Sequence, residues 1–175
     1  MQRKAGVRMK IHKMTRCALL AAVMAVCAWI SVPVGELAVS LQTFAVFLPL
    51  GFLGGRLGSA AVLVYLLLGA AGVPVFAGFR GGIGVLLGPT GGYLWGFLAA
   101  CLTYWALEER LPRWTAMALG MLGCYACGTL WYYVAFWESG LWPVILTCVV
   151  PYIIPDAVKI ILALSVSQQL SRLVR

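Results

Sequence analysis

The sequence predicts an all-α integral membrane protein, a bundle of six transmembrane helices with a glycine-rich outer loop between helices 3 and 4. Three observations carry that prediction. Of 175 residues, 63% are hydrophobic and 10% charged, with a mean hydropathy of +0.97, whereas a soluble domain holds roughly 45–50% apolar and about 25% charged residues. The apolar residues fall in runs interrupted by Gly, Pro or charged residues, and at about 20 residues per spanning helix six spans leave room for tails and loops but for no second folded domain. The positive charge is also sorted along the chain. Six of the 13 Lys and Arg residues, Arg3, Lys4, Arg8, Lys10, Lys13 and Arg16, precede the first apolar run, as expected of a cytoplasmic segment that meets anionic lipid head groups. Residues 1–16 therefore read as a basic cytoplasmic tail and residues 17–175 as the six-helix transmembrane domain.

The first span covers about 17–34, ending near Pro33 and Gly35. A signal peptide also opens with basic residues before an apolar stretch, but this chain stays equally hydrophobic beyond any cleavage point, so the span reads as retained. The second span, about 41–54, is short and stops at Gly54-Gly55-Arg56. The third runs about 58–72, up to Gly72-Val73-Pro74. Residues 73–90, with Gly78, Gly81, Gly82, Gly84 and Gly88, are too interrupted for a span and too apolar for an ordinary exposed loop. The fourth span covers about 91–107, and Glu108, Glu109, Arg110, Pro112 and Arg113 connect it to the fifth, about 114–136. Glu138-Ser139-Gly140 reads as a turn. Residues 141–154 hold Pro143 and Pro151 and read as a short or re-entrant element. The last helix is expected to start at Pro155, since the first helical position has no use for the missing N–H.

With the N-terminus inside, Arg56, Arg110, Arg113, Arg172 and Arg175 join the tail on the cytoplasmic side, which places eleven of the 13 positive residues there in accord with the positive-inside rule. Both termini are then cytoplasmic. Arg80 and Lys159 are left on the outer side. A charge at membrane depth costs a few kcal/mol and normally faces a cavity or a partner, so these two mark the place to look for a ligand.

Several functions are excluded. The chain has no G-x-x-x-x-G-K-[ST] phosphate loop, and Gly82-Ile83-Gly84 followed by Gly88 misses the dinucleotide spacing by one residue. The net charge of +8 sits largely in the tail and argues for a membrane surface rather than nucleic acid. His12, the one histidine, has no second ligand type beside it, so no metal site is expected. The six cysteines at 17, 27, 101, 124, 127 and 148 lie in apolar runs, where cysteine packs as a small hydrophobe. Cys124-Tyr125-Ala126-Cys127 has CxxC spacing but neither a βαβ context nor a second pair. His12 lies in the cytoplasmic tail and Asp156 is the sole aspartate, so neither a Ser–His couple nor paired aspartates are expected within the membrane. Pore-lining charge repeats are missing too. Neither an enzyme nor a channel is expected.

Asp156 and Lys159 are three apart on a helix and share a face. In the first turn after Pro155 they would stand beside unpaired backbone N–H groups that favour a polar ligand. Either they neutralise each other as a structural pair or they serve a ligand together with Arg80. Gly78, Gly81 and Gly82 around Arg80 permit close backbone approach, and Phe76 and Phe79 supply apolar walls. Gln42 and Thr43 open the second helix from the same outer side, as ligand donors or as capping and packing residues. Thr90 is either an N-cap or a pocket residue, and Tyr93 faces either the pocket or the lipid interface. On the first span, Ala18/Ala22 and Ala21/Ala25 form two small-xxx-small pairs. Gly51/Gly55 and Gly54/Gly58 repeat the spacing on the second. Such strips allow another helix to approach closely, within the bundle or from a partner.

These residues carry a family resemblance. Gly72-Val73-Pro74-Val75-Phe76-Ala77-Gly78-Phe79-Arg80-Gly81-Gly82, continued by Leu87-Gly88-Pro89-Thr90-Gly91-Gly92-Tyr93, resembles the signature of the BioY family, the substrate-binding S components of energy-coupling factor biotin transporters. Leu41-Gln42-Thr43-Phe44-Ala45-Val46 and Pro155-Asp156-x-x-Lys159 match the same family, and the resemblance covers about residues 14–172. It departs at Gly35-Glu36-Leu37-Ala38-Val39-Ser40 and in lacking a glycine between Pro155 and Asp156.

The resemblance implies a plasma-membrane subunit that binds biotin from outside beneath a lid of outer loops. Such a subunit uses no cofactor and has no ATPase of its own. It works with a transmembrane coupling subunit and two ATP-binding cassette subunits, and the strip Ala18, Ala21, Ala22 and Ala25 resembles the surface that docks on the coupling subunit. Arg80 and Lys159 would meet the biotin carboxylate or ureido oxygen, and Asp156 the ureido N–H groups. Gln42, Thr43, Phe79, Gly81, Gly82, Thr90 and Tyr93 complete the expected substrate-binding set. The alternative is an S component for a different vitamin.

Overall fold

The computed structural model describes residues 2–34, 37–136 and 140–173, with side chains over 11–32, 39–136 and 140–173. Among the described residues the elements run α1 (Gln2–Trp29), β1 (Ser31–Val34), β2 (Leu37–Ser40), α2 (Gln42–Leu53), α3 (Gly55–Ala70), α4 (Ile83–Leu87), α5 (Gly91–Leu107), α6 (Arg113–Phe136), α7 (Leu141–Cys148) and α8 (Val150–Leu173).

Helix α2 occupies the middle. Beyond Gln42 and Thr43 its sequence, QTFAVFLPLGFL, is apolar on every side, and a helix of that kind is stable where neighbours surround it. Nine of its residues are buried, and α8, α3 and α1 pack around it. Gly54 alone separates α2 from α3, with a φ of +81° that glycine adopts without steric penalty. The chain reverses there onto itself. A Cβ on Gly58 would stand 2.7 Å from the Leu50 backbone, and one on Gly51 2.6 Å from Ser167 Oγ. Gly51, Gly55 and Gly58 thus serve packing inside the bundle. The N–H of Gly55 at the start of α3 donates to Glu108 Oε2 at 2.7 Å, an acceptor suited to the positive end of a helix.

Helices α5 and α6 form the second close pair. A Cβ on Gly96 would lie 2.8 Å from the Cys124 carbonyl oxygen and one on Gly120 2.9 Å from that of Ala100, so two small residues let the backbones touch. The shared core holds Met24, Phe47, Tyr65, Tyr104 and Met117, all fully buried. The outer surface instead exposes Leu102, Leu122, Leu130, Val134, Ile154 and Ile161. In water such a surface would drive association, but against hydrocarbon it is already solvated. Ile11–Trp29, Arg113–Phe136 and Val150–Leu173 are long and apolar enough to cross a membrane.

The fold is all-helical as expected, and three details within it are corrected. The first span ends at Trp29, and Ser31–Val34 and Leu37–Ser40 form a short antiparallel strand pair with Ser31 opposite Ser40. Pro33 pushes Val32 out of the helical region, and the β-branched Val32 and Val34 favour extended backbone. Helix α1 is continuous from Gln2, so the basic tail is itself helical where it joins the span. The glycine-rich stretch contains the short helix α4. The last helix starts at Val150, with Pro155 inside it. Pro155 stands in the second turn, so the Pro151 carbonyl four residues back has no helical N–H donor there, and the helix carries the proline inside its run. Gly35 and Glu36, and Glu138 and Ser139 of the expected turn, lie outside the described residues.

Candidate functional site

A cavity of about 570 Å³ opens among the strand pair, the segment after α3, and helices α2, α5, α6 and α8. Its size is that of a small-molecule site. The walls combine the apolar Phe76, Leu94, Phe97 and Met121 with a charged and hydroxylated set, and Gln42, Thr43, Arg80, Thr90, Tyr93, Asp156 and Lys159 all line it. Residues separated by more than a hundred positions in sequence meet here because α2 and α8 pack together in the centre.

Asp156 and Lys159 are both buried and form a salt bridge of 2.9 Å through Oδ1. The other carboxylate oxygen, Oδ2, accepts a hydrogen bond of 2.7 Å from the Tyr125 hydroxyl of α6. Burial of an ion pair is tolerable when its remaining polar atoms are satisfied, and Tyr125 supplies that third partner. Because α8 begins at Val150, the backbone N–H groups of Asp156 and Lys159 lie within the helix rather than at its open end. The expected help from free N–H groups is therefore absent, and the two residues act through their side chains. They are the single ion pair among the described residues, which leaves the exposed Arg80 as an unbridged cation at the cavity.

Gln42 is buried, and its amide donates to the Tyr65 hydroxyl at 2.7 Å; that hydroxyl donates in turn to the Val75 carbonyl at 3.0 Å. A lining residue is thereby tied to the segment that carries Arg80. Neither Gln42 nor Thr43 caps α2, whose N-cap position belongs to Leu41. Thr90 occupies the N-cap position of α5 without a side-chain capping bond, so its hydroxyl is available to the cavity. Tyr93 donates to the Cys148 carbonyl at 3.3 Å and lies 3.4 Å from Thr129 Oγ1, so it faces the interior rather than the lipid interface.

Three expected residues do not line the cavity. Phe79 points outward, 63% exposed, and stacks on Trp29 with ring centroids 4.9 Å apart. A Cβ on Gly81 would collide with the Val73 carbonyl oxygen, so this glycine serves the fold of the segment itself. Gly82, at a φ of +95°, donates its N–H to the Gly69 carbonyl at 2.7 Å. The sequence reasoning missed Tyr125, Tyr152, Ser31 and Ser40, all of which line the cavity. Their signal was weak: a tyrosine within an apolar helix declares no facing, and the serines enter through strands that were not foreseen.

The two alanine pairs of α1 separate. Ala21 and Ala25 are buried in the core, so the expectation that they meet a partner is corrected: they pack within the bundle. Ala18 and Ala22 are exposed. Cys124 is buried and Cys127 exposed, so the CxxC pair is divided between two faces of α6.

A family model described as the BioY family matches residues 1–175. The chain is 36% identical over 167 residues to the biotin transporter BioY of Thermotoga maritima, covering 93% of this chain and 98% of that protein. It is 39% identical over 164 residues to the probable biotin transporter BioY of Pyrococcus horikoshii, again covering 93% and 98%. A solved structure, the S-component for biotin from an ECF-type ABC transporter, matches with a TM-score of 0.84 over 94% of this chain and 93% of that one, at 23% identity.

Proposed function

The chain belongs to the BioY family, and from that membership we propose how this membrane protein, a transporter component and not an enzyme, takes up biotin. It is the S component of an energy-coupling factor system in the cell membrane. Helices α1, α2, α3, α5, α6 and α8 are its six spans, and both termini are cytoplasmic. A transmembrane coupling subunit and two ATP-binding cassette subunits supply the energy, with the exposed Ala18 and Ala22 facing the coupling subunit.

The observation that carries the site assignment is the separation of charges at the cavity. Asp156 and Lys159 already neutralise each other, whereas Arg80 has no ion-pair partner among the described residues. Biotin joins an apolar bicycle with a ureido group to an alkyl chain ending in a carboxylate. The ureido N–H groups are met by Asp156 and the ureido oxygen by Lys159, while Arg80 receives the carboxylate as a charge-assisted partner. The bicycle and chain lie against Phe76, Phe97 and Met121.

Equilibrium binding of radiolabelled biotin to the detergent-purified full chain tests the reading. Saturable binding that excess biotin displaces, and riboflavin or thiamine does not, is expected. Displacement by another vitamin but not by biotin would move the protein to a different S-component specificity. Intrinsic ATP hydrolysis by the chain would overturn the proposal.

A further inference from the structure

Arg80 sits on a segment anchored from two sides. Toward the core, Phe76 is buried edge-on to the Tyr65 ring at 5.6 Å, Tyr65 bonds the Val75 carbonyl, and Gly82 bonds the Gly69 carbonyl. All of these anchors belong to α3. On the opposite side stands Trp29, the last residue of α1. Its indole N–H donates to the Pro74 carbonyl at 2.8 Å, and its ring stacks on Phe79 at 4.9 Å with the planes 23° apart.

Phe79 has a φ of +58°, the one positive value outside glycine among the described residues. An aromatic side chain is seldom found there, because Cβ crowds the following carbonyl, and such strain persists only where surrounding contacts hold it. Neither the core nor the cavity does so, since Phe79 is 63% exposed and lies outside the cavity lining. The Trp29 ring is what meets it. Phe76 N–H donates to the Arg80 carbonyl at 2.9 Å, so residues 76–80 form a closed turn whose left-handed step comes immediately before Arg80. Returning Phe79 to an ordinary φ would redirect the Arg80 backbone and its guanidinium.

We propose that Trp29 is a positioning residue for Arg80: by bonding Pro74 and covering Phe79 it holds the strained turn that aims Arg80 at the carboxylate end of the cavity. Trp29 does not itself line the cavity. The proposal rests on the reading of the site given above, in which Arg80 receives the biotin carboxylate.

Biotin and biotin methyl ester, which keeps the ureido ring and lacks the carboxylate charge, are the probes, with affinity and dissociation rate measured on the purified full chain. Trp29→Ala should weaken biotin by about fivefold to fiftyfold, as partial loss of one charge-assisted contact predicts, mainly through faster dissociation. The ester should change by less than about twofold, because it makes no ionic contact for Arg80 to lose. Trp29→Phe retains the stack and should keep part of the affinity. In the double variant Trp29→Ala/Arg80→Ala, biotin should bind no more than about twofold worse than in Arg80→Ala, the non-additivity expected when one residue acts through another. Equal weakening of biotin and ester, additive effects in the double variant, or unchanged biotin binding in Trp29→Ala and Trp29→Phe would each overturn the proposal. A wild-type chain that binds no biotin would overturn the functional reading instead, and this inference with it.

Discussion

The Tyr125 hydroxyl donates a 2.7 Å hydrogen bond to Asp156 Oδ2, joining α6 to α8 at the cavity wall. Lys159 holds the other oxygen. A carboxylate has about four lone-pair sites, so each oxygen retains capacity for one ligand N–H while its direction is fixed by a protein donor. Tyr125→Phe removes that constraint and leaves the ring in place. Biotin affinity is expected to fall about three- to tenfold, the value of one net hydrogen bond, and the empty protein should lose about 1–3 kcal/mol of stability because the buried Oδ2 is left unpaired. Wild-type affinity in this variant would show that Tyr125 serves packing alone.

The charged residues provide the stronger perturbation. Truncating one partner of a buried charge-assisted contact costs roughly 2–5 kcal/mol, part of which water can recover. Arg80→Ala, Asp156→Ala and Lys159→Ala should each weaken biotin at least about tenfold. A pair that is merely structural behaves otherwise: each single variant destabilises the protein, and Asp156→Ala/Lys159→Ala regains both stability and binding. Wild-type affinity in all three single variants would remove these residues from the site.

Neighbouring alanines on α1 should give opposite phenotypes. Ala22 is exposed and outside the cavity lining, so Ala22→Trp should leave biotin binding within about twofold while uptake with the coupling module falls at least about fivefold. Ala21 is 3% exposed, so Ala21→Trp overpacks the core and should lower stability by about 1–3 kcal/mol or more. Intact uptake by Ala22→Trp would assign this face to lipid.

Gly96→Val places branched carbon where a Cβ already stands 2.8 Å from the Cys124 carbonyl oxygen. The α5–α6 pair must then separate, with a loss of about 1–3 kcal/mol measurable as a lower melting temperature in detergent. Because Tyr93 and Tyr125 lie on these two helices and line the cavity, affinity for biotin should fall as well.

Much of this was legible because glycine and proline punctuate the apolar runs. The bounds of α2, α3, α5 and α6 follow Gly54-Gly55, Gly72, Gly91 and Pro112, and the outlying cations Arg80 and Lys159 were visible as departures from the charge pattern. The strand pair was not visible. Val32-Pro33-Val34 continues an apolar run, and only pairing with residues 37–40 turns it into a strand. Tyr125 was hidden for a different reason: in a helix destined for lipid the usual alternation of polar and apolar faces is lost, so periodicity no longer reports which side is interior. Phe79 failed because its outward direction depends on a left-handed backbone step that residue type alone argues against.

Among the described residues the charged side chains lining the cavity are Arg80, Asp156 and Lys159, with a formal sum of one positive charge. A monocarboxylate cargo brings the sum to zero. Moving a unit charge through 100 mV is worth about 2.3 kcal/mol, so under the proposed site assignment membrane voltage does no work on a loaded site that crosses the field and acts only on the vacant one. On the proposed assignment the inward step of the loaded site is thus the neutral one, and the single negative charge that each cycle moves inward is accounted for by the return of the vacant site. Under an inside-negative potential the vacant carrier is the form that voltage pulls inward, so its return to the outer face, rather than the inward passage of cargo, is the step that depolarisation would ease.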